Sequence, residues 1–150
     1  MGMDPYAKLA WGVDLGGAEK EWRLSKEWAK EVEGDYLRKV ILDVAGFTES
    51  EPGIPVVADR AAWHEYWKAE QAFTGSHVFV KIEPYCSADY PGYLLVVGDV
   101  QCVDWDAEPV KTPMFIPLSA ESLDQFAAVL DRIEYADDRT PKLFLASYYS

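Results

Sequence analysis

The sequence has few of the residues from which disulfide scaffolds and membrane spans are built. Its two cysteines, Cys86 and Cys102, are too few for a disulfide framework, and we expect their thiols to be reduced. No stretch approaches the roughly 18 consecutive apolar residues of a transmembrane helix, because even 92–100 is interrupted by Gly98 and Asp99. The first residues lack the basic start and the long apolar stretch of a secretory signal. We therefore expect a cytoplasmic protein with no membrane attachment.

Basic residues are also scarce. The chain has 14 lysines and arginines against 26 aspartates and glutamates, which gives a formal net charge of −12. The imbalance is concentrated in residues 83–138, where twelve acids are accompanied by Lys111 and Arg132 alone. A surface of this sign repels a phosphate backbone, so the sequence argues against direct nucleic-acid binding. It attracts positive charge instead, and a basic protein surface is the expected partner.

Chemically reactive residues are few, and their spacing is unfavourable. His64, His77 and the two cysteines are the right number of ligands for zinc, but none has the short spacing of a preorganised site. A hairpin that pairs 77–86 with 93–102 would place His77 opposite Cys102, with the other cysteine at the far end. This acidic segment lacks the positive neighbours that activate a thiol, so we expect Cys102 to be a small buried residue. We predict no metal, cofactor or catalytic residue, which favours a binding protein over an enzyme.

Hydrophobic periodicity and capping residues define the expected elements. Alternating apolar residues predict a strand over 6–15, which a turn at Gly16 and Gly17 would connect to a return strand. Three helices are predicted: one at 36–45 that ends at Gly46, one capped by Asp59 and one capped by Ser119. Further strands are predicted at 77–85, 93–103 and 142–149, with 112–118 at best an edge strand because of its prolines.

The expected order of elements is ββααβββαβ. It is typical of an α+β fold, with a mainly antiparallel sheet of about four to six strands and two or three helices packed on one face. The aromatic stripe of the second helix, which includes Trp63, Tyr66 and Phe73, is expected to pack against the sheet. No linker or repeat divides the chain, so we expect residues 1–150 to form a single domain.

The stretch WGVDLGGAEKEW at 11–22 raises the question of a nucleotide site. A strand that runs into Asp14, Gly16 and Gly17 resembles the first phosphate loop of the sugar kinase and actin superfamily. Ala18 stands where that loop has a hydroxyl for a phosphate, and the glutamates that follow would repel one. The superfamily also needs two related domains, for which this chain is too short. We therefore predict a simple turn in which a glycine has positive φ.

A partner-binding surface is predicted around Trp105. A tryptophan flanked by Asp104 and Asp106 combines an anchor residue with charges that steer a basic partner. The full set of predicted partner-binding residues is Asp99, Asp104, Trp105, Asp106, Glu108, Tyr85, Asp89 and Tyr90. The alternative interpretation is that Trp105 belongs to the core and that its aspartates simply point outward. The cluster also lacks the glycine and the terminal glutamate of an EF-hand calcium loop.

Four short segments span most of the chain: WGVDLGGAEKEW at 11–22, AGFTE at 45–49, YCSADYPGYLL at 85–95 and LASYYS at 145–150. Together they resemble an uncharacterised family of small acidic proteins from actinobacteria and their phages. The resemblance implies a bacterial or phage origin. It carries no known activity and assigns no site residue.

Three classes of function remain open. The leading hypothesis is a non-enzymatic inhibitor or antagonist whose acidic surface occupies a basic, nucleic-acid-binding surface of a host or toxin protein. Phage anti-defence proteins and toxin-immunity proteins use this principle. An alternative is a structural or scaffold protein of a phage or bacterial complex, for which self-association is expected. A third is an enzyme with an unrecognised site around His64 or His77.

Overall fold

The computed structural model describes residues 5–17, 20–25, 36–47, 59–104 and 118–149, which form four strands and three helices in the order βααββαβ. The elements are β1 (Pro5–Gly17), α1 (Tyr36–Ala45), α2 (Arg60–His77), β2 (Val80–Ser87), β3 (Pro91–Asp104), α3 (Ala120–Arg132) and β4 (Lys142–Tyr149). The predicted α+β class with a mainly antiparallel sheet is confirmed. The predicted edge strand at 112–118 lies outside the described residues, apart from Leu118, which is not in a strand.

The helices begin where the sequence predicts, and α1 also ends where predicted. Asp59 caps α2 by accepting hydrogen bonds of 3.0 and 3.3 Å from two backbone N–H groups of the first turn. Ser119 caps α3 in the same way, through a 3.1 Å bond from the Ser122 N–H. Gly46 follows α1 with a φ of +92°, the left-handed conformation that commonly ends a helix. None of the helices described is long and apolar enough to cross a membrane.

The sheet closes on itself in the order β1-β3-β2-β4. β1 lies antiparallel to β3 along most of its length and antiparallel to β4 over residues 5–12. β2 and β3 form an antiparallel hairpin. The closing junction between β2 and β4 is parallel and consists of two residue pairs, Cys86 with Tyr148 and Ser87 with Tyr149. Three long seams and one short seam therefore hold the described strands together.

The β2–β3 hairpin forms as predicted, but the predicted register is wrong by two residues. Cys86 lies opposite Pro91, two residues before its expected partner, because the connection is a short bend of three residues. α2 continues through His77, so this residue is not part of the strand. Cys102 lies opposite Lys8 of β1 and is exposed. The expected proximity of His77 and Cys102 is therefore wrong, and so is the buried position of Cys102.

The predicted return strand after the first glycines is reduced to a single bridge. Gly16 and Gly17 both have a φ of +91°, which confirms the glycine turn. The Lys20 N–H donates a 2.9 Å hydrogen bond to the Gly17 carbonyl oxygen and closes the turn. The Arg23 N–H then donates to the Leu15 carbonyl oxygen at 3.0 Å. The chain thus returns beside β1 without a regular ladder.

The two faces of the sheet have different surroundings. One face, which we call the covered face, packs against α1 and α3. Its buried strand residues are Val13, Leu15, Val80, Leu95 and Val97, all of them apolar. The opposite face, which we call the inner face, lines the inside of the closed sheet. Its apolar residues Ala10, Leu94 and Val96 form a smaller cluster, and the same face of β1 carries the charged residues Lys8 and Asp14.

The aromatic stripe of α2 packs on α1 and on Phe47, two residues after the end of α1. The expected packing against the sheet is therefore wrong. Tyr66 is buried with Leu42 of α1 and with Phe47, and Trp63 and Phe73 pack against this group. The rings of Phe47 and Tyr66 meet edge to face, with centroids 6.1 Å apart. Because α1 and α3 already cover the sheet, the stripe forms an apolar cluster of its own.

Candidate functional site

The predicted partner-binding residues fall into two groups along β3. Tyr85, Asp89 and Tyr90 lie at the β2–β3 bend, where Tyr85 is opposite Gly92. Asp99 lies further along β3, about 23 Å from Gly92 at ~3.3 Å per residue. The structure therefore does not bring the two groups together into one patch.

The centre of the predicted surface, formed by Trp105, Asp106 and Glu108, lies outside the described residues. Asp104 is the last residue of β3, and its backbone pairs with β1. The side chains of Asp99 and Asp89 are exposed, and Tyr90 is 69% exposed. These three side chains are therefore accessible to a partner.

Tyr85 is turned toward the inner face. Its hydroxyl donates a 2.8 Å hydrogen bond to Asp14 Oδ1, which also accepts the Gly16 N–H at 3.0 Å. Lys20 Nζ lies 3.5 Å from the Tyr85 hydroxyl and 5.2 Å from the centre of its ring. Burial raises the pKa of Tyr85, and the hydrogen bond to the negatively charged Asp14 raises it further. Tyr85 thus belongs to an internal polar cluster.

Ion pairs neutralise several of the acids that the sequence places in the second half of the chain. The pairs with bases outside the segment 83–138 are Glu83 with Lys8, Asp131 with Arg139, Asp137 with Arg23 and Asp138 with Lys142. The backbone N–H of Thr140 donates to Asp138 and lowers the pKa of that exposed carboxyl. Pairs at the surface add little stability, but they cancel charge locally. The acidic surface is therefore smaller than the sequence suggests.

Seven exposed carboxylates make no ion pair within the described part of the chain: those of Glu21, Asp59, Asp89, Asp99, Glu121, Asp124 and Glu134. Glu121 and Asp124 are three residues apart, and so are neighbours on one side of α3. A Cβ on Gly98 would lie 3.2 Å from the Leu118 side chain, so the residues that lead into α3 pass close to Asp99. We call Asp99, Glu121 and Asp124 the acidic end.

A buried glutamine attaches the acidic end to the sheet. Gln125 Oε1 accepts the Phe79 N–H at 2.7 Å, and Gln125 Nε2 donates to the His77 carbonyl oxygen at 2.9 Å. The Phe79 carbonyl oxygen in turn accepts the Gly98 N–H at 2.9 Å. Hydrogen bonds therefore connect the first turns of α3 to the segment of β3 that carries Asp99.

The inner face also holds a buried lysine. Lys8 is 5% exposed and donates to Glu83 Oε2 at 3.0 Å and to the Pro84 carbonyl oxygen at 2.8 Å. Its ammonium lies 5.4 and 4.8 Å from the ring centres of Tyr6 and Tyr148. Sequence reasoning missed this group because Lys8 occupies an ordinary polar position of an alternating strand. Its partners lie some 75 residues away in the chain.

The histidines and cysteines are dispersed. His64 is exposed on α2, and the His77 ring stacks on Phe73 with centroids 4.6 Å apart. His77 Nδ1 lies 2.7 Å from the hydroxyl oxygen of the preceding residue, Ser76. Both cysteines are free. Within the described ranges, no three His, Cys, Asp or Glu side chains are grouped closely enough to hold a metal ion.

Comparison with known proteins adds no functional assignment. No family model matches the chain, and no curated protein or solved structure shows detectable similarity to it. The geometry and the charge of this chain therefore carry the proposed function.

Proposed function

We propose that this protein is a non-enzymatic inhibitor or antagonist that occupies a basic, nucleic-acid-binding surface of a host or toxin protein. The observation that carries the proposal is the acidic end, where three exposed carboxylates have no ion-pair partner within the described residues. The proposed setting is the cytoplasm of a bacterium. The resemblance to small acidic proteins of actinobacteria and their phages is consistent with a role in phage anti-defence or toxin immunity.

Unpaired carboxylates are the groups that such binding requires. A carboxylate that already has an ion-pair partner gains little when it exchanges that partner for another base. Those of the acidic end are free to accept charge-assisted hydrogen bonds from lysines and arginines that otherwise bind phosphates. The net charge of −12 would also speed the encounter with a basic protein.

The predicted cluster around Trp105 belongs to the same proposal. In sequence it lies between Asp104, the last residue of β3, and Leu118. The side chain of Leu118 lies close to Gly98, next to Asp99 of the acidic end. Trp105 would supply the aromatic anchor, and Asp106 and Glu108 would add to the negative charge.

Affinity capture from the native host, with and without nuclease, tests the proposal. We expect a basic protein to be retained after nuclease treatment. The variant Glu121→Gln/Asp124→Asn should weaken its binding by about a hundredfold, since each of the two lost charged hydrogen bonds removes roughly 1.5 kcal/mol.

The matched control is Glu65→Gln/Asp43→Asn, which changes the net charge equally. Both control carboxylates already have partners, in Lys68 and Arg132. We expect this variant to bind almost as tightly as the wild type. Equal weakening by both variants would mean that total charge matters and the acidic end does not.

Salt and DNA provide a second test on the captured complex. Binding through carboxylates that replace phosphates should weaken steeply as salt is added, and duplex DNA should displace the protein. Binding that is insensitive to salt and that DNA cannot displace would contradict the proposal.

A role in assembly is the second candidate, and the outer side of β4 favours it. Leu145 is 77% exposed, and Leu143 and Tyr149, which are also exposed, lie on the same side of the strand. Residues 139–150 contain no acid, so this strand lacks the charge that would repel a second copy. Light scattering should then show a mass that rises with concentration and that Leu145→Ser reduces. A monomer at every concentration would exclude self-assembly.

A further inference from the structure

A polar cleft opens where the pairing of β1 with β4 ends. The last pair of this seam is Gly12 with Lys142, and β1 continues beyond it to Gly17 without β4 as a neighbour. The cleft has a volume of about 220 Å³, which is room for about seven waters at ~30 Å³ each. Openings of closed sheets are frequent binding sites for small molecules.

One rim of the cleft is a chain of polar contacts. The Tyr135 hydroxyl donates a 3.1 Å hydrogen bond to the Asp14 carbonyl oxygen. The same hydroxyl accepts a hydrogen bond from Arg23, and this second bond raises the pKa of Arg23. Arg23 Nε lies 3.3 Å from Asp137 Oδ2. The guanidinium keeps further N–H donors, and the carboxylate keeps a second oxygen. A donor and an acceptor therefore stand side by side on this rim.

A second ion pair lines the cleft. Lys142 Nζ lies 3.6 Å from Asp138 Oδ2, and both side chains are more than half exposed. Asp138 Oδ1 accepts the Thr140 N–H at 3.0 Å. Each of the two pairs thus consists of one cation and one carboxylate that balance each other.

The interior of the cleft combines a carboxylate with an aromatic ring. Asp14 is 9% exposed, and its Oδ1 already accepts two hydrogen bonds. The nearest base to Oδ2 is Lys20, whose Nζ is 3.9 Å away, beyond hydrogen-bonding distance. The half-buried ring of Phe144 supplies an apolar wall beside Gly12. The cleft therefore offers an acceptor with spare capacity and a surface for C–H groups.

We infer that this cleft binds a neutral polyhydroxylated ring of the size of one monosaccharide. A hydroxyl group donates and accepts at the same time, so neighbouring hydroxyls satisfy both members of an ion pair without separating them. The ring of Phe144 packs against the C–H face of such a ligand. A rigid ring also loses little conformational entropy when it binds.

A charged ligand fits the same groups less well. An anion or a cation would replace one partner in an exposed ion pair and would gain little from the exchange. A zwitterion would replace both pairs by two similar ones, with little gain. None of the residues of the acidic end lines the cleft. This inference therefore stands independently of the proposed partner surface.

A titration of the isotope-labelled protein followed by NMR tests the inference, with glucose, galactose, mannose and N-acetylglucosamine as probes. We expect at least one sugar to shift the backbone amides of Gly12, Asp14 and Thr140 to saturation at millimolar concentration, and to leave those of α2 unchanged. Arg23→Gln and Asp137→Asn alter exposed side chains and should leave the fold intact. Each should weaken sugar binding by about tenfold, as expected for the loss of a charge-assisted hydrogen bond.

The control variant is Lys68→Gln, which removes an exposed ion pair on α2 and should leave the affinity unchanged. Glycine and glutamate serve as zwitterionic and anionic probes. Saturation by either of these with no response to the sugars would overturn the inference in favour of a charged ligand. A failure of all four sugars to saturate the amides, or equal weakening by the control, would overturn it as well.

Discussion

The covered face and the inner face are built from alternate residues of the same strands, yet they are stabilised in different ways. On the covered face, side chains such as Leu95 and Val97 are fully buried against α1 and α3 and need no particular partner atom. On the inner face, Lys8 and Asp14 are also buried, but each depends on specific groups from distant strands or turns.

The two faces therefore contribute differently to the stability of the fold and to the choice of strand partners. Apolar burial contributes roughly 25 cal/mol per Å², so the covered face, which has the larger apolar cluster, contributes more stability than the inner face. A buried ion pair contributes little net stability, because desolvation offsets the attraction between the charges. Its loss is nevertheless costly when one partner remains. We therefore expect the inner face to determine which strands meet, and its residue Asp14 also lines the cleft.

Truncation of adjacent residues should separate the two faces most clearly. Leu95→Ala removes a fully buried side chain from the covered face and should lower the free energy of unfolding by about 4 kcal/mol. Leu94→Ala acts on the smaller inner cluster and should cost about 2 kcal/mol, at the lower end for such changes. Urea denaturation measures both values. Equal losses would mean that the two faces contribute equally to stability.

Removal of the buried lysine should lower the free energy of unfolding somewhat less than Leu95→Ala does. Lys8→Met leaves Glu83 without its base and the Pro84 carbonyl oxygen without its donor. We expect a loss of about 3 kcal/mol. The double variant Lys8→Met/Glu83→Leu should recover much of that loss, because it removes both charges. If the double variant is as unstable as the single one, the packing of Lys8 matters more than its charge.

Two glycines with nearly the same φ provide the next test. A Cβ on Gly16 would lie 2.3 Å from the Glu21 carbonyl oxygen, whereas a Cβ on Gly46 would meet no atom within 4 Å. Gly16→Ala should therefore cost about 2 kcal/mol or more and disturb the hydrogen bond to Asp14. Gly46→Ala should cost about 1 kcal/mol, from backbone strain alone. Similar losses in thermal or urea unfolding would contradict the role of the contact at Gly16.

The smallest expected effect is a change in how the free energy of unfolding depends on pH. Burial raises the pKa of Tyr85, so the neutral hydroxyl is favoured in the folded protein. Its stabilising contribution is complete below the unfolded pKa of about 10 and is lost as the pH rises toward the folded value. The free energy of unfolding should fall above about pH 10, and more gently in Tyr85→Phe. This variant should cost about 1 kcal/mol at neutral pH, for the lost hydrogen bond.

Urea titrations at a series of alkaline pH values measure that difference. Burial also raises the pKa of Tyr135, so part of the fall in the free energy of unfolding should remain in the variant. An identical pH profile for the wild type and Tyr85→Phe would show that burial on the inner face does not raise the pKa of Tyr85.

The helices could be predicted from the sequence because their signals are local. Asp59 and Ser119 begin their helices through hydrogen bonds to residues two or three positions away, and Gly46 ends α1 by its own conformation. The glycine turn at 16–17 is local in the same sense. The predicted hairpin register is wrong by two residues because the connection is a bend of only three residues. The strand also begins later than predicted because α2 extends through His77.

The polar sites could not be predicted, because their parts are far apart in the chain. Tyr85 and Asp14 are 71 residues apart, and Tyr135 reaches the Asp14 carbonyl oxygen across 121 residues. In sequence, Tyr85 is an aromatic residue near an acidic turn, which is typical of a binding surface. The structure instead connects it to the inner face. The pairing of Arg23 with Asp137 likewise joins residues that are far apart in the chain.

The pairing of β1 with β4 also determines when the protein can fold. Pro5 lies opposite Tyr149, so this seam is complete only after the chain through Tyr149 has left the ribosome. Contacts of such long range slow folding, and an unpaired strand edge invites association with other chains in the meantime. A nascent chain arrested before Lys142 therefore carries an open sheet, whose protection would depend on chaperones until synthesis resumes.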